Sequence, residues 1–313
     1  MLSKLFTSLF LIIVLLVFII FHNPNHKYSL ISSSNIIVKK DTGKLSKSVL
    51  IDKSVTVGSY FQFLDSVIKK YDSVTPYVLT EHLLVRANPW IIDRLKNTDY
   101  YIMKTKGSFV YNQKDMLVFN KNDILVLPDL ALTKKLLQSF EKTYIDVNIP
   151  EFKLRIFEDS SLLYEFPIRV GQLKKKYLKM ANREIDLKTK TGSGFIVNYV
   201  RYPDYYNPVD GHKYFVTKRD DGNVTKMPQI PFIETEINGI RNGQLIHATT
   251  NPNTLGKAYS NGCIGAKEAD TWVIYYYAAI GTKINIRYDL NVVDSLGKKI
   301  VLKDIYKNYK LNN

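Results

Sequence analysis

Cysteine occurs once in this chain of 313 residues, at position 263, so no intrachain disulfide can form. No lipoprotein cysteine is present in the sequence either, and a lipoprotein anchor is not expected. Histidine is scarce, with five residues. No grouping of His, Cys or paired carboxylates suggests a metal site, and no metal or cofactor is expected. No recognised nucleic-acid-binding module is present either. Catalytic vocabulary is therefore sparse, and it concentrates around that one thiol.

Charge and hydropathy are the features present in excess. Lys and Arg number 44 against 29 Asp and Glu, a net charge of +15. Such a balance favours anionic partners. Leu9 to Phe21 is apolar without a break, and counting from Leu5 the run is 17 residues. That is near the lower limit of about 17 to 25 for a membrane-spanning helix. Lys4 supplies a positive flank, and His22-Asn23-Pro24-Asn25-His26 offers no small-x-small cleavage site. The expectation is an uncleaved anchor in the inner membrane with the body in the periplasm, cleavage and secretion being the alternative. Lys27, Lys39 and Lys40 beyond the run thin the orientation signal. In an envelope setting the anionic partners are lipid headgroups and carboxylate-bearing wall polymers; nucleic acid is not expected.

Cys263 lies in Ser260-Asn261-Gly262-Cys263-Ile264-Gly265, and His247 lies in Leu245-Ile246-His247-Ala248-Thr249. A lone free thiol is commonly a small buried hydrophobe. Here a glycine precedes it and an imidazole stands a short way upstream, the elements of a nucleophile and its base. A thiol with a pKa of roughly 8.5 is mostly protonated near neutrality, and a neighbouring imidazole or helix N-terminus favours the thiolate. Gly262 admits close approach of substrate and leaves the Gly262 and Cys263 N–H groups as candidate oxyanion donors. Ala266 to Ala279 reads as a helix with Glu268 and Asp270 in its first turns, which places the thiol just ahead of a helix start.

The spacing resembles the L,D-transpeptidase family, the YkuD-type catalytic domain. That signature is a His, about a dozen residues, then Ser/Thr-His-Gly-Cys. Here 12 residues, Ala248 to Tyr259, separate His247 from Ser260-Asn261-Gly262-Cys263. Phe166-Pro167-Ile168-Arg169-Val170-Gly171 resembles part of the family's opening hairpin, Thr189-Lys190-Thr191-Gly192 its Thr-Pro-Thr-Gly turn, and Met227-Pro228 with Phe232 its approach to the His. The resemblance covers roughly residues 142 to 290. It implies that Cys263 is the acylated nucleophile, His247 its base and the Ala248 carbonyl the group that orients the ring, with peptidoglycan stem peptides as substrate. Two positions depart from the family. Asn261 replaces the signature's second His, and Gly265 replaces an Arg two residues after the Cys, as in a Bacteroidetes-like variant. Ser260 and Asn261 are expected to shape the turn and, with Arg241 and Lys257, to bind substrate; Arg241, Lys257 or Lys267 would stand in for the missing Arg.

The fold expected is a mainly β catalytic domain, a YkuD-like β-sandwich with a short helix after the Cys, plus a small α+β N-terminal domain and an N-terminal membrane-spanning helix. The domains expected are residues 1–21 as anchor, 22–54 as linker, 55–140 as accessory domain, 141–290 as catalytic domain and 291–313 as a tail with a frayed end. Phe61, Leu64, Val67 and Ile68 have helical spacing. Leu83 to Asp129 faintly resembles LysM, a βααβ glycan binder. Residues 172–188 and 199–226 read as long polar loops. The function expected is L,D-transpeptidation, with release of the terminal D-Ala and acyl transfer to an amine; the alternatives are the same thioester resolved by water, as a carboxypeptidase or amidase, and a catalytically silent wall-binding protein.

Overall fold

In the computed structural model, residues 48–294 and 296–307 are described. The run expected to cross the membrane lies outside them. Among the described residues no helix is long and apolar enough to span a bilayer.

The carboxy-terminal half is built on one mixed sheet of eight strands. They are β1 (Thr143–Asn148), β2 (Lys153–Glu158), β3 (Ser161–Pro167), β4 (Gly192–Val200), β5 (Phe232–Ile237), β6 (Leu245–Ala248), β7 (Ile264–Ala266) and β8 (Lys283–Arg287). Their order is β7-β6-β5-β4-β8-β1-β2-β3. β7 runs parallel to β6 and β8 parallel to β1; the other neighbours are antiparallel. The expected sandwich is thus a single large sheet with small two-stranded pairs around it. Burial alternates along β1, β2, β5, β6 and β8, as a sheet with one core face requires.

Among the described residues six α-helices accompany the sheet: α1 (Tyr60–Tyr71), α2 (Glu81–Arg86), α3 (Trp90–Lys96), α4 (Tyr100–Thr105), α5 (Leu130–Lys142) and α6 (Glu268–Tyr277). α6 follows β7 and is buried along nearly its whole length, including Trp272, Tyr275 and Tyr276. A helix apolar all round has to be enclosed on all sides. It packs against β6 on one side and α2 and α3 on the other, so the amino-terminal helices and the sheet share one hydrophobic core.

Polar bonds fix this packing. Tyr60 and Tyr276 meet hydroxyl to hydroxyl at 2.6 Å, and Glu81 accepts from Tyr275 at 3.0 Å and Tyr276 at 2.8 Å. Asp99 caps two helices with one carboxylate: Oδ1 accepts from Tyr101 N at 2.7 Å, and Oδ2 from Ala269 N in α6 at 3.0 Å. The stretch compared with a βααβ module begins in α2 instead of a strand, and its order is three helices followed by two strands. The polar segments read as loops hold β-hairpins, at 175–186, 205–214 and 216–226. The tail forms a hairpin, Asn291–Val293 with Lys299–Val301, and then buries Tyr306.

Candidate active site

Ser260 closes the turn that carries Cys263. Its Oγ donates to the Cys263 carbonyl at 2.5 Å and accepts from the Gly262 N–H at 3.2 Å. Gly262 has φ +113°, a conformation that L side chains rarely adopt, so glycine is a backbone requirement here. Its carbonyl accepts from Thr189 Oγ1 at 2.9 Å, and the same hydroxyl accepts from Gly171 N at 2.8 Å. The Gly262 N–H is therefore spent inside the turn, which corrects its expected role as oxyanion donor. The Cys263 N–H has no partner among the described residues and remains the candidate.

His247 sits on β6. Its Nδ1 lies 2.8 Å from the Ala248 carbonyl oxygen. A carbonyl only accepts, so Nδ1 carries the proton and Nε2 keeps its lone pair. The Phe232 ring packs 5.3 Å away and limits the imidazole's rotation. Both His247 and Cys263 are half-buried. Burial, with a smaller push from the Arg169 guanidinium, lowers the His247 pKa to about 4. Burial also pushes the Cys263 thiol up, opposed by the Leu245 backbone and by Arg169. Without substrate at neutral pH His247 is thus a neutral imidazole and Cys263 a neutral thiol.

The sheet register aligns the rest. His247 pairs with Gly265 on β7, two residues after Cys263. On the opposite side of Gly265, Arg169 exchanges two backbone hydrogen bonds with it, at 2.8 and 3.0 Å. Residues paired across strands project to the same face. An added Cβ at Gly265 would lie 2.6 Å from Arg169 Nε and 2.8 Å from Arg169 Cγ. The Arg169 side chain fills the space that glycine leaves.

Other expected residues are placed differently. Arg241 is exposed in the β5–β6 turn, 4.0 Å from Glu236. Lys257 and Lys267 are exposed. Asn261 is exposed too, its Oδ1 at the edge of reach of Gln172 Nε2, 3.5 Å away. The helix start does not adjoin the thiol, because β7 intervenes between Cys263 and Glu268. Three strand residues extend roughly 10 Å, which removes α6 as a source of thiolate stabilisation. Among the described residues, no group of three His, Cys, Asp or Glu is arranged to hold a metal ion.

Residues 142–286 match the YkuD family, the L,D-transpeptidase catalytic domain. No curated protein matches the chain. Among solved structures, an L,D-transpeptidase from Mycobacterium smegmatis aligns over 47% of this chain and 58% of its own, at 15% identity and TM-score 0.33. One from Xylanimonas cellulosilytica aligns over 79% of this chain and 100% of its own, at 12% identity and TM-score 0.34. The catalytic domain of the E. faecium enzyme aligns over 47% and 98%, at 17% identity and TM-score 0.31. The chain spans between 57% and 59% of the length of the first three structures it matches.

Three residues of this site were not singled out by sequence. Arg169 lies inside a recognised motif, but only the pairing with Gly265 reveals its placement. Gln172 donates its backbone N–H to the Ser260 carbonyl at 3.1 Å. Tyr306 reaches the turn's supports from the far end of the chain. Beyond Phe232, Tyr205 lies 5.1 Å ring to ring and lines a groove of about 430 Å³ with Tyr202, Tyr214, Phe215, Lys114 and Lys226.

Proposed function

We propose that the YkuD domain transfers acyl groups through a thioester on Cys263, with the tetrapeptide stem of peptidoglycan as donor. His247 Nε2 takes the thiol proton as sulfur attacks the carbonyl before the terminal D-Ala. The C–S bond forms, the peptide C–N bond breaks, and the imidazolium returns the proton to the departing amine of D-Ala. An acceptor amine then attacks the thioester; its C–N bond forms and the C–S bond breaks. His247 takes the amine's proton and passes it to the released thiolate. The product is a cross-linked stem. The Cys263 N–H is suited to the developing oxyanion.

One observation carries this reading. The Nδ1–H of His247 is committed to the Ala248 carbonyl, on a strand in register with the residue two beyond Cys263. The ring is therefore held as a base with one free lone pair. The aromatic and lysine-lined groove beyond Phe232 supports a donor that is both apolar and carboxylate-bearing. The apolar run at Leu9 to Phe21 supports an envelope location, where that polymer lies.

Mass spectrometry of the protein incubated with a tetrapeptide-bearing muropeptide tests the reading. A covalent adduct on Cys263 and a cross-linked dimer are expected, both lost in Cys263→Ala. Tripeptide alone would replace the amine acceptor by water. No change, together with no mass increase on exposure to a carbapenem, would overturn the acyl-enzyme altogether.

A further inference from the structure

Arg169 is a half-buried guanidinium without a matching carboxylate. Its Nη1 donates to Thr254 Oγ1 at 3.2 Å, while its Nε is buried and makes no hydrogen bond among the described residues. No ion pair joins it to an acid among those residues. Burying an uncompensated charge is costly, so such a group commonly faces an anion that forms or arrives. Arg169 and His247 flank Gly265 in one lateral row, Cys263 lies two residues before Gly265 at the entry to β7, and the Arg169 charge acts on both His247 and Cys263.

We propose that Arg169 is the electrostatic partner of the Cys263 sulfur, delivered across the bare backbone of Gly265 to stabilise negative charge as it forms there. The proposal deepens the acyl-transfer reading and rests on Cys263 being its nucleophile. The geometry makes Gly265 and Arg169 a linked choice. Two side chains on this cross-strand pair would occupy one space, since a Cβ at 265 meets the Arg169 side chain at 2.6 Å. A guanidinium from either position projects to the same face. The charged and titratable groups acting around the site are Arg169, His247, Cys263, Tyr259 and Asp220. Asp220 acts on Arg169 from beyond ion-pair distance and accepts from Asn253 N at 2.7 Å. Arg169 favours the charged sulfur and disfavours the charged imidazole, and both effects widen the pH range over which a neutral base faces an ionisable thiol.

The test is the pH profile of Cys263 alkylation by iodoacetamide, which reads the thiol without any peptide substrate. It therefore separates this proposal from the acyl-transfer reading: a failed muropeptide reaction leaves the alkylation profile interpretable. In Arg169→Gln the apparent thiol pKa is expected to rise by about one unit, so the rate at pH 7 falls about 10-fold. Arg169→Lys is expected to fall between the two. The paired variant Arg169→Gly with Gly265→Arg is expected to return to within about 3-fold of wild type, because the cation reaches the same face from the neighbouring strand. A folded Arg169→Gln with a wild-type profile would overturn the proposal. Where Arg169→Gln does not fold, the paired variant decides. A wild-type profile there supports the exchange; a shifted profile, or failure of that variant to fold, overturns it.

Discussion

The hydroxyl of Tyr306 donates to the Gly171 carbonyl at 2.6 Å and accepts from the Thr189 N–H at 3.1 Å. Thr189 in turn holds the Gly262 carbonyl. The carboxy-terminal tail thus supports the Cys263 turn through a single intermediate residue. Tyr306→Phe keeps the ring stacked on Tyr288 at 5.3 Å but deprives the buried Thr189 N–H of its acceptor. The expected cost is about 1 to 3 kcal/mol, the range for a stranded buried donor. Thermal melting should show the loss, and single-turnover acylation should slow as the turn loosens. Wild-type values in both measurements would remove the tail from the site's support.

The thiol, the imidazole and the 12 residues between His247 and Ser260 were legible because they are local. So was α1, whose helical spacing holds over a whole element. β4 was not legible. Its sequence opens with Gly192-Ser193-Gly194, and a bulge between Ile196 and Asn198 interrupts the two-residue alternation. Arg169 over Gly265 could not be read either, because it depends on which distant strands pair and in what register. The same holds for Asp99 capping α6 and for Tyr306 below the turn. Gly265 was the one available clue: a missing side chain in a crowded signature implies that another fills its place.

Arg219 and Glu268 form an ion pair that is almost wholly buried, at 3% and 1% exposure. It ties the hairpin of residues 216–226 to the first turn of α6. Burial pushes the Glu268 carboxyl up, and the Arg219 guanidinium opposes that push. Removing one member leaves the other charge stranded. Arg219→Met is expected to cost roughly 3 to 5 kcal/mol, read as a fall in denaturant midpoint, and adding Glu268→Leu should recover much of it. If Arg219→Met alone leaves the midpoint unchanged, the pair does not hold the hairpin.

Phe215 is 69% exposed on the wall of the groove that begins at Tyr205. An aromatic ring held open to solvent beside Lys114 and Lys226 has a binding role more readily than a packing one. Phe215→Ser is expected to raise KM for a muropeptide donor by roughly 5- to 30-fold, the effect of losing about 1 to 2 kcal/mol of contact. Iodoacetamide alkylation of Cys263 should not change, because the thiol is untouched. An unaltered KM would place the donor elsewhere.

The pH dependence of acylation follows from the state of His247. Its folded pKa, near 4 through burial and then Arg169, lies below the ordinary value of 6.5. A depressed histidine is neutral in the fold over the interval where it would be charged in the unfolded chain. Base catalysis therefore persists as pH falls from 6.5 and is lost only on approach to 4. The same sign governs stability: the folded chain binds fewer protons there than the unfolded one, so the His247 contribution is complete above 6.5 and declines between 6.5 and 4. Single-turnover acylation should have its acid limb near pH 4 in the wild type. In Arg169→Gln that limb should move toward 6.5, since removing the cation makes the imidazolium easier to form. An acid limb near 6.5 in the wild type would contradict the buried neutral imidazole, and with it the assignment of Nε2 as the resting base.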